Sequence, residues 1–156
     1  MKTIVKEINL FNPDIIIFTG DLINSTKDYS DEEIKNIINE LNKLKPNIES
    51  YLIKGNHDYN ELFEKIINKT NFTVLKNEQT LFYYKDSIPI QIIGLESSLS
   101  NKLNIDKAFE NYNEELYTIL LLHEPDIMLD MKYNVDLILA GHSHGGQLRI
   151  PFIGAI

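Results

Sequence analysis

Residues 136–146 read Asp-Leu-Ile-Leu-Ala-Gly-His-Ser-His-Gly-Gly. An apolar run of strand length stops at a glycine, and a turn carrying two histidines follows. An apolar run ending in a polar turn occurs three more times, twice with a glycine in the turn. Asp14-Ile-Ile-Ile-Phe18 leads into Thr19-Gly20-Asp21. Tyr51-Leu-Ile53 leads through Lys54 into Gly55-Asn-His-Asp58. Tyr117 to Leu122 leads into His123-Glu124. Continuous apolar, β-branched runs of this length read as buried strands. Open α/β sheets bind ligands at the carboxyl ends of their strands, so four polar turns in that position can converge on one point.

The segments between these strands support an α/β alternation. Ile4, Val5, Ile8 and Phe11 recur at helical spacing, and Asn12-Pro13 stops that helix. Ser30 and Glu33 form a capping box for a helix with Ile34, Ile37, Ile38, Leu41 and Leu44 on its apolar face, ended by Pro46. Leu62, Phe63, Ile66 and Ile67 mark a third helix. From about residue 72 to 96 the period changes to two, which predicts a β-meander with Tyr83 and Tyr84 alternating on its middle strand. A weak helix around 105–113 and a short one over 125–131 follow, and 147–150 would return as a final strand. No repeat, linker or low-complexity segment interrupts the chain, and 156 residues suit one domain.

Composition narrows the function. The chain has no Cys, which rules out within it a disulfide framework, thiolate metal sites and a cysteine nucleophile. The net charge is −8 and the single Arg is Arg149, a poor match to a nucleic-acid backbone. A small phosphorylated substrate held by metal ions is compatible with that charge. No apolar run is long enough to span a bilayer, and no signal peptide is visible at Met1. The expectation is a soluble, cytoplasmic protein.

All four histidines, His57, His123, His142 and His144, lie in the strand-end turns. A lone histidine is most often a satisfied core or surface residue. Four in one class of position, beside glycines and carboxylates, point to a site. Neutral imidazole and carboxylate suit Mn²⁺, Fe and Zn²⁺. Glycines at 20, 55, 141, 145 and 146 let the backbone approach a ligand closely.

Gly20-Asp21, Gly55-Asn-His-Asp58, His123 and Gly141-His-Ser-His144 resemble, in order and spacing, the motifs of the calcineurin-like metallophosphoesterases. The stretch from His142 to Gly154 is similar to the branch that includes the YkuE-like phosphoesterases, which has members acting on the lipid A precursor UDP-2,3-diacylglucosamine. The resemblance covers nearly the whole chain. It implies a four-layer αββα sandwich, here a single partial domain over residues 1–156. It implies two divalent metal ions, Mn²⁺ first among them and Fe, Zn²⁺ or Mg²⁺ as alternatives. Asp21 would bridge the two. Asn56, His123 and His142 would complete the second metal, and His144 would bind the first. His57 would face the phosphoryl group, stabilising the transition state or protonating the leaving oxygen, and Asp58 would orient His57. Two cations about 3.5–4 Å apart clamp an in-line phosphoryl transfer and lower the pKa of a bridging water toward about 7, so that hydroxide attacks phosphorus. The implied substrate is a phosphodiester or pyrophosphate, such as a lipid-linked nucleotide. No nucleic-acid partner is expected, and peripheral contact with the inner face of a membrane would follow from a lipid substrate. The oligomeric state is not legible.

The sequence departs from the family pattern in one respect. The Asp-x-His motif that ends the family's first strand is absent. Two readings follow: a fragment lacking the first strand and the C-terminal strands, or a degenerate, non-catalytic metal-binding scaffold with an incomplete first metal site. Under either, the second metal site should be the better one. A missing strand would leave an apolar edge, so this polypeptide is expected to aggregate. A metal-dependent amidohydrolase also uses His-x-His, but early in its chain, and would leave Gly-Asn-His-Asp unexplained.

Bland readings accompany several residues. Asp58 could cap the helix that follows it. Glu124 reads as a solvated turn residue. Gln147 and Arg149 are attractive phosphate contacts, with Arg149 read as structural or rim-exposed.

Overall fold

A computed structural model describes residues 1–146, 149–150 and 154–155. The chain begins with α1 (Lys2–Leu10), β1 (Ile15–Phe18), α2 (Asp31–Leu41), β2 (Glu49–Leu52), α3 (Glu61–Ile67) and β3 (Thr73–Val74). It continues with β4 (Glu78–Phe82), β5 (Ile90–Gly94), α4 (Ile105–Ala108), β6 (Thr118–Leu122) and β7 (Leu137–Ala140). β8 (Arg149–Ile150) and β9 (Gly154–Ala155) follow and pair antiparallel. Two short 3₁₀ turns cover Ser98–Ser100 and Pro125–Asp130.

The helices start where their caps dictate. Ser30 Oγ accepts from the Glu33 N–H at 3.3 Å, and the Glu33 carboxylate accepts from the Ser30 N–H at 2.9 Å. α2 ends at Leu41, well before Pro46, so Leu44 packs from the following turn. The cap of α3 is Asn60, whose side chain accepts from the Phe63 N–H at 2.9 Å. Asp58 therefore does not cap that helix.

One sheet has the order β1-β2-β3, all parallel, with Phe18 opposite Leu52. A second has the order β4-β5-β6-β7, antiparallel between β4 and β5 and parallel thereafter. The region 72–96 is thus not a meander. β3 joins the first sheet, and the chain crosses at Asn77, whose φ is +53°, before β4 opens the second. Period-two patterning marks strands but not which sheet each joins. Tyr83 and Tyr84 lie beyond the end of β4 and are exposed, not packed on a strand.

Three apolar layers hold the fold. Ile34, Leu41, Phe63, Ile66 and Ile67 of α2 and α3 pack on Leu52 and Phe18 of the first sheet. Tyr51 and Ile53 from the first sheet meet Ile92, Ile119 and Leu121 from the second. Ile93, Leu120 and Leu122 face Ala108, Phe109 and Ile127 on the far side. The layers run helix, sheet, sheet, helix, the αββα arrangement expected. Burying each such side chain is worth about 1.5–3 kcal/mol.

Among the described residues β1 has one strand neighbour, β2, and β7 has one, β6. On β7, Leu137 is 39% and Ile138 36% exposed, a partly apolar strand with one edge unpaired among the described residues. No helix among the described residues is long and apolar enough to cross a membrane. Gln147 and Leu148, which begin the expected last strand, lie outside the described residues. The Gln147 contact expected with phosphate falls there too.

Candidate metal centre

β1, β2, β6 and β7 run parallel within their sheets, and each ends in one of the four polar turns. Close approach between these turns is enforced by glycine. At Gly20, with φ +95°, a Cβ would lie 2.4 Å from the Gly55 nitrogen. At Gly55 it would lie 2.2 Å from Asp21 Oδ1 and 2.6 Å from His123 Cε1. No other residue fits either place.

Asp21, Asn56, His123 and His142 converge. His123 Nε2 lies 3.2 Å from Asp21 Oδ2 and 3.2 Å from Asn56 Oδ1. His142 Nδ1 lies 3.0 Å from the same Asn56 oxygen. Ligand atoms of Asp21, His123 and His142 all lie within 4.8 Å of one another. His123 is 1% exposed, whereas His142 is exposed at the rim. Asp21, His142 and His144 hold positive φ values of 58°, 61° and 49°. Left-handed backbone at residues with a Cβ is strain of the kind that clusters at functional sites.

The donor set fits a divalent cation. His123 Nδ1 lies 2.7 Å from the Thr19 carbonyl, which can only accept, so Nδ1 carries the proton. In the neutral ring Nε2 is then a lone pair, and it faces two further acceptors, Asp21 Oδ2 and Asn56 Oδ1. A cation between these acceptor atoms would offset their mutual repulsion, so the group could hold a metal ion. With His142 Nδ1 included, the contacts of 3.0–3.2 Å match the spacing of adjacent ligands around a cation. With bonds of about 2.1 Å, octahedral neighbours stand about 3 Å apart. His144 lies in the same turn as His142 and is exposed, outside this group of ligands.

His57 and Asp58 take different roles. The His57 N–H donates to Asp21 Oδ1 at 3.0 Å, and its ring Nδ1 lies 2.7 Å from Ser25 Oγ. The hydrogen bonds of Asp58 run elsewhere. Its carboxylate accepts from the N–H groups of Leu22 and Ile23, both at 3.3 Å, and of Gly55 at 3.0 Å. Asp58 is fully buried, and burial raises its pKa while these donors oppose the rise. The expected Asp58–His57 ring contact is replaced by Ser25–His57, and Asp58 instead bolts the turn after β1 to the turn after β2.

Glu124 is not solvated. It is 5% exposed and accepts from Ser97 Oγ at 2.5 Å and from the Ser98 N–H at 2.9 Å. Nearby, Tyr59 donates to Glu96 and accepts from the Ser97 N–H at 3.0 Å. The loop after β5 is thereby fixed behind His123. Ser25, Thr19 and Glu96 were assigned no role in the sequence reading, and Glu124 was read as solvated. Ser and Thr are ordinary turn residues, and Thr19 acts through its backbone. Only Glu124, beside His123, carried any signal.

This chain belongs to the calcineurin-like phosphoesterase family, whose profile matches residues 1–146. The family consists of phosphoester hydrolases that bind divalent metals. The chain is 33% identical to the uncharacterized metallophosphoesterase YkuE of Bacillus subtilis, a match covering 100% of this chain and 56% of that protein. It is 34% identical to YkoQ of the same organism over 88% of this chain and 52% of that protein. The UDP-2,3-diacylglucosamine pyrophosphatase LpxG of Chlamydia muridarum is 26% identical, covering 97% of this chain and 60% of that protein. The chain thus spans about half the length of the curated relatives it matches.

Proposed function

We propose that this chain carries the greater part of a metal-dependent phosphoesterase centre that hydrolyses a phosphodiester or pyrophosphate bond. The observation that carries the reading is the convergence of Asp21, Asn56, His123 and His142, with the His123 lone pair facing two acceptors. These four residues would hold one cation. Asp21 and His144 would contribute to a second. A bound divalent cation supplies Lewis-acid polarisation of the phosphoryl group and of the attacking water. The protein's part is positional. Asp21 keeps one oxygen on the His57 N–H and turns the other to the centre. His57 faces the phosphoryl group and stabilises or protonates oxygen as the bond breaks. Asp58 holds the two turns in register.

A lipid-linked nucleotide of the UDP-2,3-diacylglucosamine type is the substrate we favour, supported by the likeness to LpxG. Such a substrate would bring the protein to a membrane surface. The test uses the protein with any native sequence upstream of Met1 restored. With Mn²⁺ it should hydrolyse bis-p-nitrophenyl phosphate, and UDP-2,3-diacylglucosamine with a higher kcat/KM.

One observation favours a second reading, a metal-binding scaffold without turnover: these residues contain no Asp-x-His to complete the other metal site. Metal binding without hydrolysis of either substrate in the restored protein would select it.

A further inference from the structure

We infer that Ser25 is a positioning residue for His57, donating to Nδ1 so that the ring presents Nε2–H to a phosphoryl oxygen. The inference rests on the proposed role of His57 and deepens it. The contact is 2.7 Å long, and it is the one hydrogen bond of the His57 ring among the described residues. No hydrogen bond to Nε2 is found among the described residues, and His57 is half-buried.

The chemistry of the partner matters. A carboxylate at this place could only accept, and it would draw the ring proton onto Nδ1. A serine hydroxyl can donate as well as accept, and in the inferred donating arrangement the proton stays on Nε2. A hydrogen bond from Nε2–H strengthens as negative charge builds on a phosphoryl oxygen, so it favours the transition state over the ground state. With Ser25 donating, His57 would act by hydrogen-bond stabilisation of charge, one of the two roles the sequence left open to it.

An exposed serine holds a ring only if its own loop is fixed. Residues 24–29 meet that condition. Asn24 Oδ1 accepts from the Thr26 N–H at 3.0 Å and from Thr26 Oγ1 at 2.8 Å, closing an Asx turn around Ser25. The Asn24 N–H donates to the Tyr29 hydroxyl at 2.9 Å. Lys27 pairs with Glu33 at 2.7 Å and lies over the Tyr29 ring at 4.7 Å. Just before the loop, Ile23 is 3% exposed and tied to Asp58. The loop is thus anchored at both ends, and Ser25 sits at its crest against His57.

The experiment uses the full-length protein in five forms: wild type, Ser25→Ala, Ser25→Thr, His57→Asn and the Ser25→Ala/His57→Asn double variant. With Mn²⁺ and bis-p-nitrophenyl phosphate, Ser25→Ala should lower kcat about tenfold with KM and metal content unchanged. Ser25→Thr, which keeps the hydroxyl, should restore most of the loss. The double variant should be no slower than His57→Asn alone, because both changes remove one interaction. A readout independent of turnover is ¹⁵N NMR of histidine-labelled protein loaded with diamagnetic Mg²⁺. His57 should show protonated Nε2 and a lone pair on Nδ1, and Ser25→Ala should mix the tautomers. A slow His57→Asn beside a fully active Ser25→Ala, or a proton found on Nδ1, overturns the positioning role. Loss of metal in Ser25→Ala overturns it as well. An unimpaired His57→Asn instead defeats the reading of His57 itself, and the inference with it.

Discussion

The Thr19 carbonyl accepts a hydrogen bond from His123 Nδ1 at 2.7 Å, joining the end of β1 to the end of β6 across 104 residues. One contact links the two sheets and fixes the imidazole tautomer. A ligating histidine held by its other nitrogen is the usual supporting arrangement in metal sites. Here the support is backbone, so no side-chain substitution at Thr19 removes it directly.

His123 and His142 should therefore be separable from His57 by metal content. His142→Ala and His123→Ala are expected to abolish tight Mn²⁺ binding in isothermal titration. His57→Asn should keep the metal and cut turnover about 10²-fold or more. A His57→Asn protein stripped of metal would show that the roles have been exchanged.

The same titration bears on the unequal sites. In the proposed centre, Asp21, Asn56, His123 and His142 would make one nearly complete ligand set, whereas the other would draw on Asp21 and His144. The 156-residue polypeptide should bind one Mn²⁺ per chain tightly and a second far more weakly. Two equally tight sites would contradict this.

Asp58 should act on stability more than on chemistry. Asp58→Ala leaves three backbone N–H groups near the centre without their acceptor, at a cost of about 2–4 kcal/mol. Asp58→Asn keeps one side-chain acceptor oxygen and should lose less. Urea midpoints measure both. Equal midpoints for wild type and Asp58→Ala would remove Asp58 from its place between the turns.

Glu33 gives a pH signature for the loop that carries Ser25. Lys27 and the Ser30 cap lower its pKa from 4.5 to about 2. A depressed carboxylate contributes stability above its unfolded value and loses it as pH falls through the folded value. The start of α2 and the 24–29 loop should hold at pH 5 and loosen between about 4.5 and 2. Carboxyl NMR should place the Glu33 midpoint near the lower figure, and Lys27→Met should move it up.

Solubility follows from the strand edges. β7 presents Leu137 and Ile138 beside an edge with no strand neighbour among the described residues. The isolated polypeptide should self-associate in light scattering, and Ile138→Lys should reduce it. A monodisperse monomer would refute the expectation first drawn from the sequence.

Local chemistry made much of this legible in the chain itself. Ser30 and Glu33 announced the start of α2. Apolar runs ending in polar turns marked β1, β2, β6 and β7, and the residues in those turns named Asp21, Asn56, His123 and His142. These signals are short-range: caps, periodicity and chain-terminating turns depend on neighbours in sequence. What the sequence could not determine was set by contacts between distant segments. Period two in 72–96 was real, yet the assignment of β3 to one sheet and β4 to the other depends on which face each strand buries. Asp58 read as a partner of His57 because they are adjacent, but successive side chains in a turn diverge. Folding brings the N–H groups of Leu22, Ile23 and Gly55 to Asp58 and brings Ser25 to His57. Glu124 looked solvated until the loop after β5 closed over it. The sequence by itself determined which residue types line the centre and in what order. The tertiary structure alone decided which of them touch, because hydrogen-bond partners far apart in the chain are chosen by packing.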